Sequence, residues 1–158
     1  MVRHPPPPRC FHYNSRVYAS IRTLPLNPPL PEPLLSTVDL TQENFEAVIQ
    51  KNALVLVDFW APWCGPCRAF APVYEAASEL HKDVVFAKVN TEEQQALGAM
   101  FQIRSIPTLM LFREQIILFS QPGSLPGPAL DEILAKAKAL DMEMVRKEMA
   151  EQGAGKAG

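Results

Sequence analysis

The run Ala53-Leu54-Val55-Leu56-Val57-Asp58-Phe59-Trp60 shows no alternation of apolar and polar positions and holds a single charge. A strand covered on both faces reads this way, because neither face is reserved for water. Upstream, Phe45, Val48 and Ile49 recur at helical spacing, with Thr41 placed to cap the helix and Leu40 to staple against Phe45. Downstream, Phe70, Val73, Ala77 and Leu80 form a second helical stripe with Pro72 inside it as a kink. Val84 to Val89 reads as another buried strand, and Thr91-Glu92-Glu93-Gln94 has the form of a capping box leading into a short helix through Leu97 and Phe101. Thr108 to Phe112 and Ile116 to Phe119 are two strands joined around Arg113-Glu114-Gln115, and Leu130, Ile133, Leu134 and Ala137 mark a last helix. With a short first strand near Ser36 to Val38, the order is β-α-β-α-β-α-β-β-α. Strands that alternate with helices pair in parallel, and the closing hairpin adds antiparallel strands at one side. The pattern predicts an α/β fold with a central mixed β-sheet flanked by helices on both faces.

The ends differ from this middle. Residues 1–35 hold 9 of the 16 prolines, among them Pro5 to Pro8 in a row, which removes donors and helix continuity together. No packed structure is expected there. The segment reads as a disordered tail, as an organelle transit peptide given its arginines, or as translated sequence upstream of the true start. A domain over 36–139 follows. Residues 140–158 form an extension in which Asp141 can cap a short helix carrying Met144, Val145 and Met149, ahead of a Gly-Ala-Gly-Lys-Ala-Gly tail.

Charge adds a contrast between these parts. Four arginines against Glu32 give the first 35 residues +3, so the remainder carries −5 of the net −2. That balance offers no electrostatic footprint for nucleic acid. No apolar run approaches the ~20 residues of a membrane span, and the N-terminus lacks the apolar core of a secretory signal. With three cysteines a disulfide scaffold is excluded, and the usage suits a reducing compartment. The expectation is a soluble, cytoplasmic monomer, or an organelle-matrix protein if the N-terminal segment is a transit peptide.

Two of the cysteines carry the chemistry. Trp63-Cys64-Gly65-Pro66-Cys67 stands directly after the buried strand, where the chain turns into a helix. With two residues between them, the sulfurs can meet across a first helical turn, whose free N–H groups and positive dipole end face the first sulfur. The thiol of Cys64 should therefore ionise readily and attack a disulfide, and Cys67 can resolve the mixed disulfide within one molecule. Asp58, a lone charge in a buried strand, should be pushed toward its protonated form and exchange a proton near neutral pH.

Taken with Val57-Asp58-Phe59-Trp60-Ala61, Ala71-Pro72, Ala87-Lys88-Val89, Ile103-Arg104-Ser105-Ile106-Pro107-Thr108 and Gly123, this motif resembles the thioredoxin family over about Thr37 to Ala139. The resemblance implies the thioredoxin fold and a thiol-disulfide oxidoreductase that reduces protein disulfides. It makes Cys64 the exposed nucleophile and Cys67 the less accessible resolving thiol, with Asp58 beneath them helping to deprotonate Cys67. Pro107 is implied to be a cis-proline facing the disulfide, with Trp63, Gly65, Pro66, Ile106 and Gly123 forming a shallow apolar surround for an extended substrate peptide. Lys88 is placed near Asp58 but stays outside the implied site, since a strand lysine more often faces solvent. In the family Gly-Pro between the cysteines marks reductants. No cofactor is implied beyond the Cys64–Cys67 disulfide itself. Electrons would come from NADPH through a separate thioredoxin reductase, because the chain has no dinucleotide-binding glycine motif. The implied partners are that reductase and disulfide-containing proteins.

The same residues allow plainer readings. The cysteine pair can be half of a zinc site, completed by Cys10 and His12, or two core thiols. Asp58 can stand near a sheet edge in water, and Pro107 can be a trans proline opening an edge strand. Phe70, Phe101 and Phe112 read as core, and Met142, Met144 and Met149 as helix packing or a solvated face. A disulfide isomerase or oxidase, and a non-redox peptide-binding module on the same fold, are the rival functions. Glu114-Gln115 replaces the usual hairpin residues of the family, which suggests a longer or differently shaped turn, and Pro126-Gly127-Pro128 leaves the start of the last helix open.

Overall fold

Two neighbouring strands set the frame of the fold. The computed structural model describes residues 37–154. The chain divides into two units between Leu34 and Leu35, and the described residues belong to the second. The proline-rich segment, Cys10 and His12 lie outside them.

In chain order the elements are β1 (Thr37–Asp39), α1 (Phe45–Lys51), β2 (Leu54–Trp60), α2 (Gly65–Leu80), β3 (Val85–Asn90), α3 (Gln95–Met100), β4 (Thr108–Arg113), β5 (Ile116–Pro122), α4 (Gly127–Ala139) and α5 (Met142–Ala154). The sheet runs β1-β3-β2-β4-β5. β3 pairs in parallel with β1 and with β2, while β4 runs antiparallel to β2 and to β5. β2 is buried along its length up to Trp60, which is half-buried, as its unbroken apolar run requires.

Each face of the sheet buries its own cluster. Leu54 and Leu56 of β2 meet Phe86, Leu109 and Leu111 under α2 and α4, which contribute Phe70, Tyr74, Ala77, Leu130 and Leu134. Val55, Val57 and Phe59 point to the other face, where Phe45 and Ile49 of α1 and Leu97 of α3 close the core. The period of two along β2 thus sends alternate residues under different helices.

Some local expectations are corrected. Thr41 does not cap α1 directly: its hydroxyl accepts from the Asn44 N–H at 3.4 Å while Asn44 Oδ1 accepts from the Thr41 N–H at 2.8 Å, so a preceding turn delays the helix to Phe45. The capping box at Thr91 is not formed, because its hydroxyl donates to the Trp60 carbonyl at 3.1 Å and α3 begins only at Gln95. Leu80 is exposed, and Tyr74 rather than Val73 is the deeply buried member of the α2 stripe. The hairpin turn is tight, with Arg113 opposite Ile116, and Glu114 and Gln115 adopt φ of 50° and 70°. α4 starts at Gly127 behind Pro126. Asp141 does cap α5, its carboxylate accepting from the Glu143 N–H at 2.9 Å and the Met144 N–H at 3.3 Å.

A candidate redox site at the start of the second helix

The C-terminal ends of β2 and β3 and the start of β4 meet at one end of the sheet, and α2 begins there. Cys64 is the N-cap of α2 with extended backbone, and Gly65 and Pro66 open the helix. Proline costs nothing in a first turn, since its missing N–H has no helical acceptor there. The turn brings Cys67 back to Cys64, with Cα atoms 5.3 Å apart and the two sulfurs bonded as a disulfide. The Cys67 N–H donates to Cys64 Sγ at 3.2 Å. A helix of 16 residues therefore aims its N-terminal dipole and a backbone N–H at that sulfur.

The expected contrast in exposure is absent from the disulfide form: Cys64 is 4% and Cys67 3% exposed. Trp63, 66% exposed, stands beside them, and Gly65 and Pro66 are exposed as well. What distinguishes the two cysteines is place, Cys64 capping the helix from outside and Cys67 lying inside its first turn.

Ile106-Pro107 is a cis peptide, and Ile106 packs against Ala61, Cys64 and Cys67. Cys64 Sγ lies 3.8 Å from the Ile106 carbonyl oxygen. Pro107 is buried, and its carbonyl accepts from the Gly123 N–H at 2.8 Å, which ties the end of β5 to the site. Gly123 has φ of +101°, a conformation that favours glycine.

Asp58 lies on the α2 side of β2, 1% exposed, and Oδ1 has no hydrogen-bond partner among the described residues. Burial pushes its carboxyl up to about 7, against a smaller lowering by Lys88. Lys88 stands opposite Asp58 in the β2–β3 register and holds Nζ 4.8 Å from the centre of the Trp60 ring. The proximity of Lys88 to Asp58 that the resemblance implies is thus set by the pairing register, which no spacing along the chain encodes.

A groove of about 570 Å³ runs from Trp63 and Ile106 along Thr91, Gln95, Gly98, Ala99, Ile103, Arg104 and Ser105. Gly65, Pro66, Pro107 and Gly123 are outside its lining. The α3 side of this groove was not foreseen, because it exists only once the loop after α3 folds back beside Trp63. Among the described residues no group of three His, Cys, Asp or Glu side chains is arranged to hold a metal ion. The zinc set needs Cys10 and His12, which lie outside the described residues, while Cys64 and Cys67 are bonded to each other. No helix of the described residues is long and apolar enough to cross a membrane.

Comparisons with known proteins agree with this geometry. The Thioredoxin family model matches residues 36–136. "Putative thioredoxin 2" of Streptomyces coelicolor is 54% identical over 121 residues, covering 77% of this chain and 90% of that protein. Thioredoxin 1 of Synechococcus elongatus is 42% identical over 92 residues, 58% of this chain and 86% of that one. Among solved structures, a thioredoxin of Plasmodium falciparum superposes with a TM-score of 0.59 at 34% identity, covering 63% of this chain and 98% of that one. A mutant thioredoxin from Halobacterium salinarum gives 0.62 at 31% identity, covering 68% and 96%. With its family match spanning the whole sheet, α1 to α3, most of α4 and the paired cysteines, the chain belongs to the thioredoxin family and is a dithiol–disulfide oxidoreductase of the thioredoxin type.

Proposed function

We propose that Cys64 attacks substrate disulfides, that Cys67 resolves the product, and that Asp58 is the proton acceptor for Cys67. The observation that carries this reading is Cys64 capping α2 beside the Ile106 carbonyl with Cys67 in the first turn, and on the adjoining strand a buried carboxyl whose Oδ1 has no partner among the described residues.

In the reduced protein the Cys64 thiolate, favoured by the helix N-terminus, attacks one sulfur of a substrate disulfide. A Cys64–substrate S–S bond forms, the substrate S–S bond breaks, and its electron pair leaves on the second substrate sulfur as a thiolate. Cys67 then gives its proton to Asp58, and its thiolate attacks Cys64 Sγ. The Cys64–Cys67 disulfide forms, the bond to substrate breaks, and the first substrate sulfur departs as a thiolate. The protein is oxidised by two electrons and the substrate reduced by two. A base near 7 suits this step, because it is ionised often enough to accept the proton and binds it well enough to draw it from sulfur.

Disulfide-bearing proteins in extended conformation are the substrates, laid in the groove beside Trp63 and Ile106, with Pro107 and Gly123 supporting its edge. Electrons return from NADPH through a separate thioredoxin reductase. A reducing compartment, the cytoplasm or an organelle matrix, suits a couple working in that direction; the Gly65-Pro66 pair between the cysteines supports the reductant over the oxidase.

The test combines the equilibrium potential of the Cys64–Cys67 couple with reduction of insulin by the wild type and Cys67→Ser. A reducing couple, with the variant losing turnover at least ~100-fold and accumulating a mixed disulfide at Cys64, is the expected result. An oxidising couple would replace the reductase with an isomerase or oxidase, and no couple at all would leave a peptide-binding module.

A further inference from the structure

Tyr74 is a tyrosine with none of its surface exposed, seven residues beyond Cys67 on α2 and so on the same helix face. Its ring packs edge-on to Phe86 at 5.1 Å and tilted to Phe70 at 5.6 Å. Ring contacts alone would be served by phenylalanine. The hydroxyl instead reaches the sheet floor, donating toward the carbonyl oxygens of Leu56 at 2.7 Å and Ala87 at 2.8 Å, one on each of two adjacent strands. Asp58 follows Leu56 by two residues on the same face of β2, and Lys88 follows Ala87 on β3, directly opposite Asp58.

We propose that Tyr74 is a positioning residue for the resolving half-reaction, its hydroxyl clamping the β2–β3 seam and presenting its oxygen to the space in which Asp58 exchanges a proton with Cys67. The proposal rests on the role given to Asp58 above. Its single proton is taken up by the two seam carbonyls, so the phenol oxygen has none left to donate and can meet Asp58 only with its lone pairs. A negative dipole end there disfavours the carboxylate relative to the acid. The Asp58 charge in turn adds to burial in holding the Tyr74 phenol well above its ordinary range.

The other groups facing Asp58 are few. β3 supplies Lys88, and α2 carries Cys67 on the face it shares with Tyr74; β4 places Leu109 opposite Asp58, and Arg113 at the far end of β4 is turned to the carbonyls of Ala137, Lys138 and Leu140 where α4 ends. α4 presents Leu130, Leu134 and Ala137 to this layer. Trp60, two residues beyond Asp58 on β2, carries a buried Nε1–H with no partner among the described residues, and Tyr74 is a further polar group on this face.

Tyr74→Phe keeps both ring contacts and removes the hydroxyl. In a Cys10→Ser background, reduced protein is mixed with a chromogenic aryl disulfide, which releases one aryl thiolate on attack by Cys64 and a second on attack by Cys67. The rate of the second phase is followed against pH. Tyr74→Phe is expected to move its midpoint down by about half a pH unit, with the first phase unchanged, and to move nothing when Asp58→Asn is already present. Superimposed second-phase profiles for wild type and Tyr74→Phe, with Asp58→Asn displaced, would overturn the proposal alone. An equal shift in the Asp58→Asn background would overturn it too, since the hydroxyl would then act without the carboxyl. If Asp58→Asn itself leaves the profile in place, the assignment of Asp58 falls, and this proposal with it.

Discussion

Asp58 has a consequence for stability that is separate from its chemistry. In the unfolded chain it titrates near 3.8, and burial in the fold raises it to about 7. Below the lower value both states hold the proton and the residue is neutral to stability. Between the two values the unfolded chain releases a proton that the folded chain keeps, so stability falls as pH rises, and the loss is complete above about 7. Its limit is about 4 kcal/mol. Asp58→Asn is therefore expected to match the wild type in urea denaturation near pH ~4 and to exceed it by a few kcal/mol near pH ~8. Equal stability at the higher pH would mean that the carboxyl is solvated in the folded protein. The burial of Asp58 was legible because one charge interrupts an apolar run. Of its neighbours, Lys88 was legible only through the family resemblance and Tyr74 not at all, since they reach it through strand register and helix phase. Phasing α2 from Cys67 instead of Phe70 and Val73 would have exposed the Cys67–Tyr74 alignment and placed Leu80 in water.

At the level of elements, sequence pattern located strands and helices well and their ends less well. Apolar periodicity reports burial, which extends over many residues, whereas an end is decided by which acceptor a side chain finds. Thr91 illustrates this: its capping-box spacing is correct, yet the Trp60 carbonyl captures the hydroxyl first. Asp141 has no such competitor and caps α5 as expected. The β4–β5 turn shows a cost accepted for a tight connection. Gln115 at φ 70° carries a side chain in a region where glycine is at ease, and it is exposed. Gln115→Gly should raise the unfolding free energy by about 0.5–1 kcal/mol, read by chemical denaturation, with insulin reduction unaltered. A loss of stability would show that the turn gains more from a stiffer unfolded chain than it loses in strain.

Across the molecule the sheet separates two ends. Cys64, Cys67, Ile106 and Pro107 gather where β2 ends, β4 begins and α2 starts, while the β4–β5 turn and α5 occupy the opposite end, joined by the ion pair of Arg146 with Glu114. Met142, 5% exposed, anchors the first turn of α5, whereas Met144 and Met149 face solvent. β2 spans the distance between the ends with seven residues, roughly 20 Å of rigid, hydrogen-bonded backbone. A cavity opened at Met142 should be absorbed locally, because neither the cis-proline loop nor the N-terminal turn of α2 rests on it. Met142→Ala is expected to cost about 2–3 kcal/mol in unfolding free energy and to lower the melting temperature. The rate of insulin reduction below the transition, and both phases of aryl disulfide reduction, should stay at wild-type values. If turnover instead fell in step with stability, α5 would be coupled to the redox end through the sheet, and the separation of stabilising and catalytic ends would not hold.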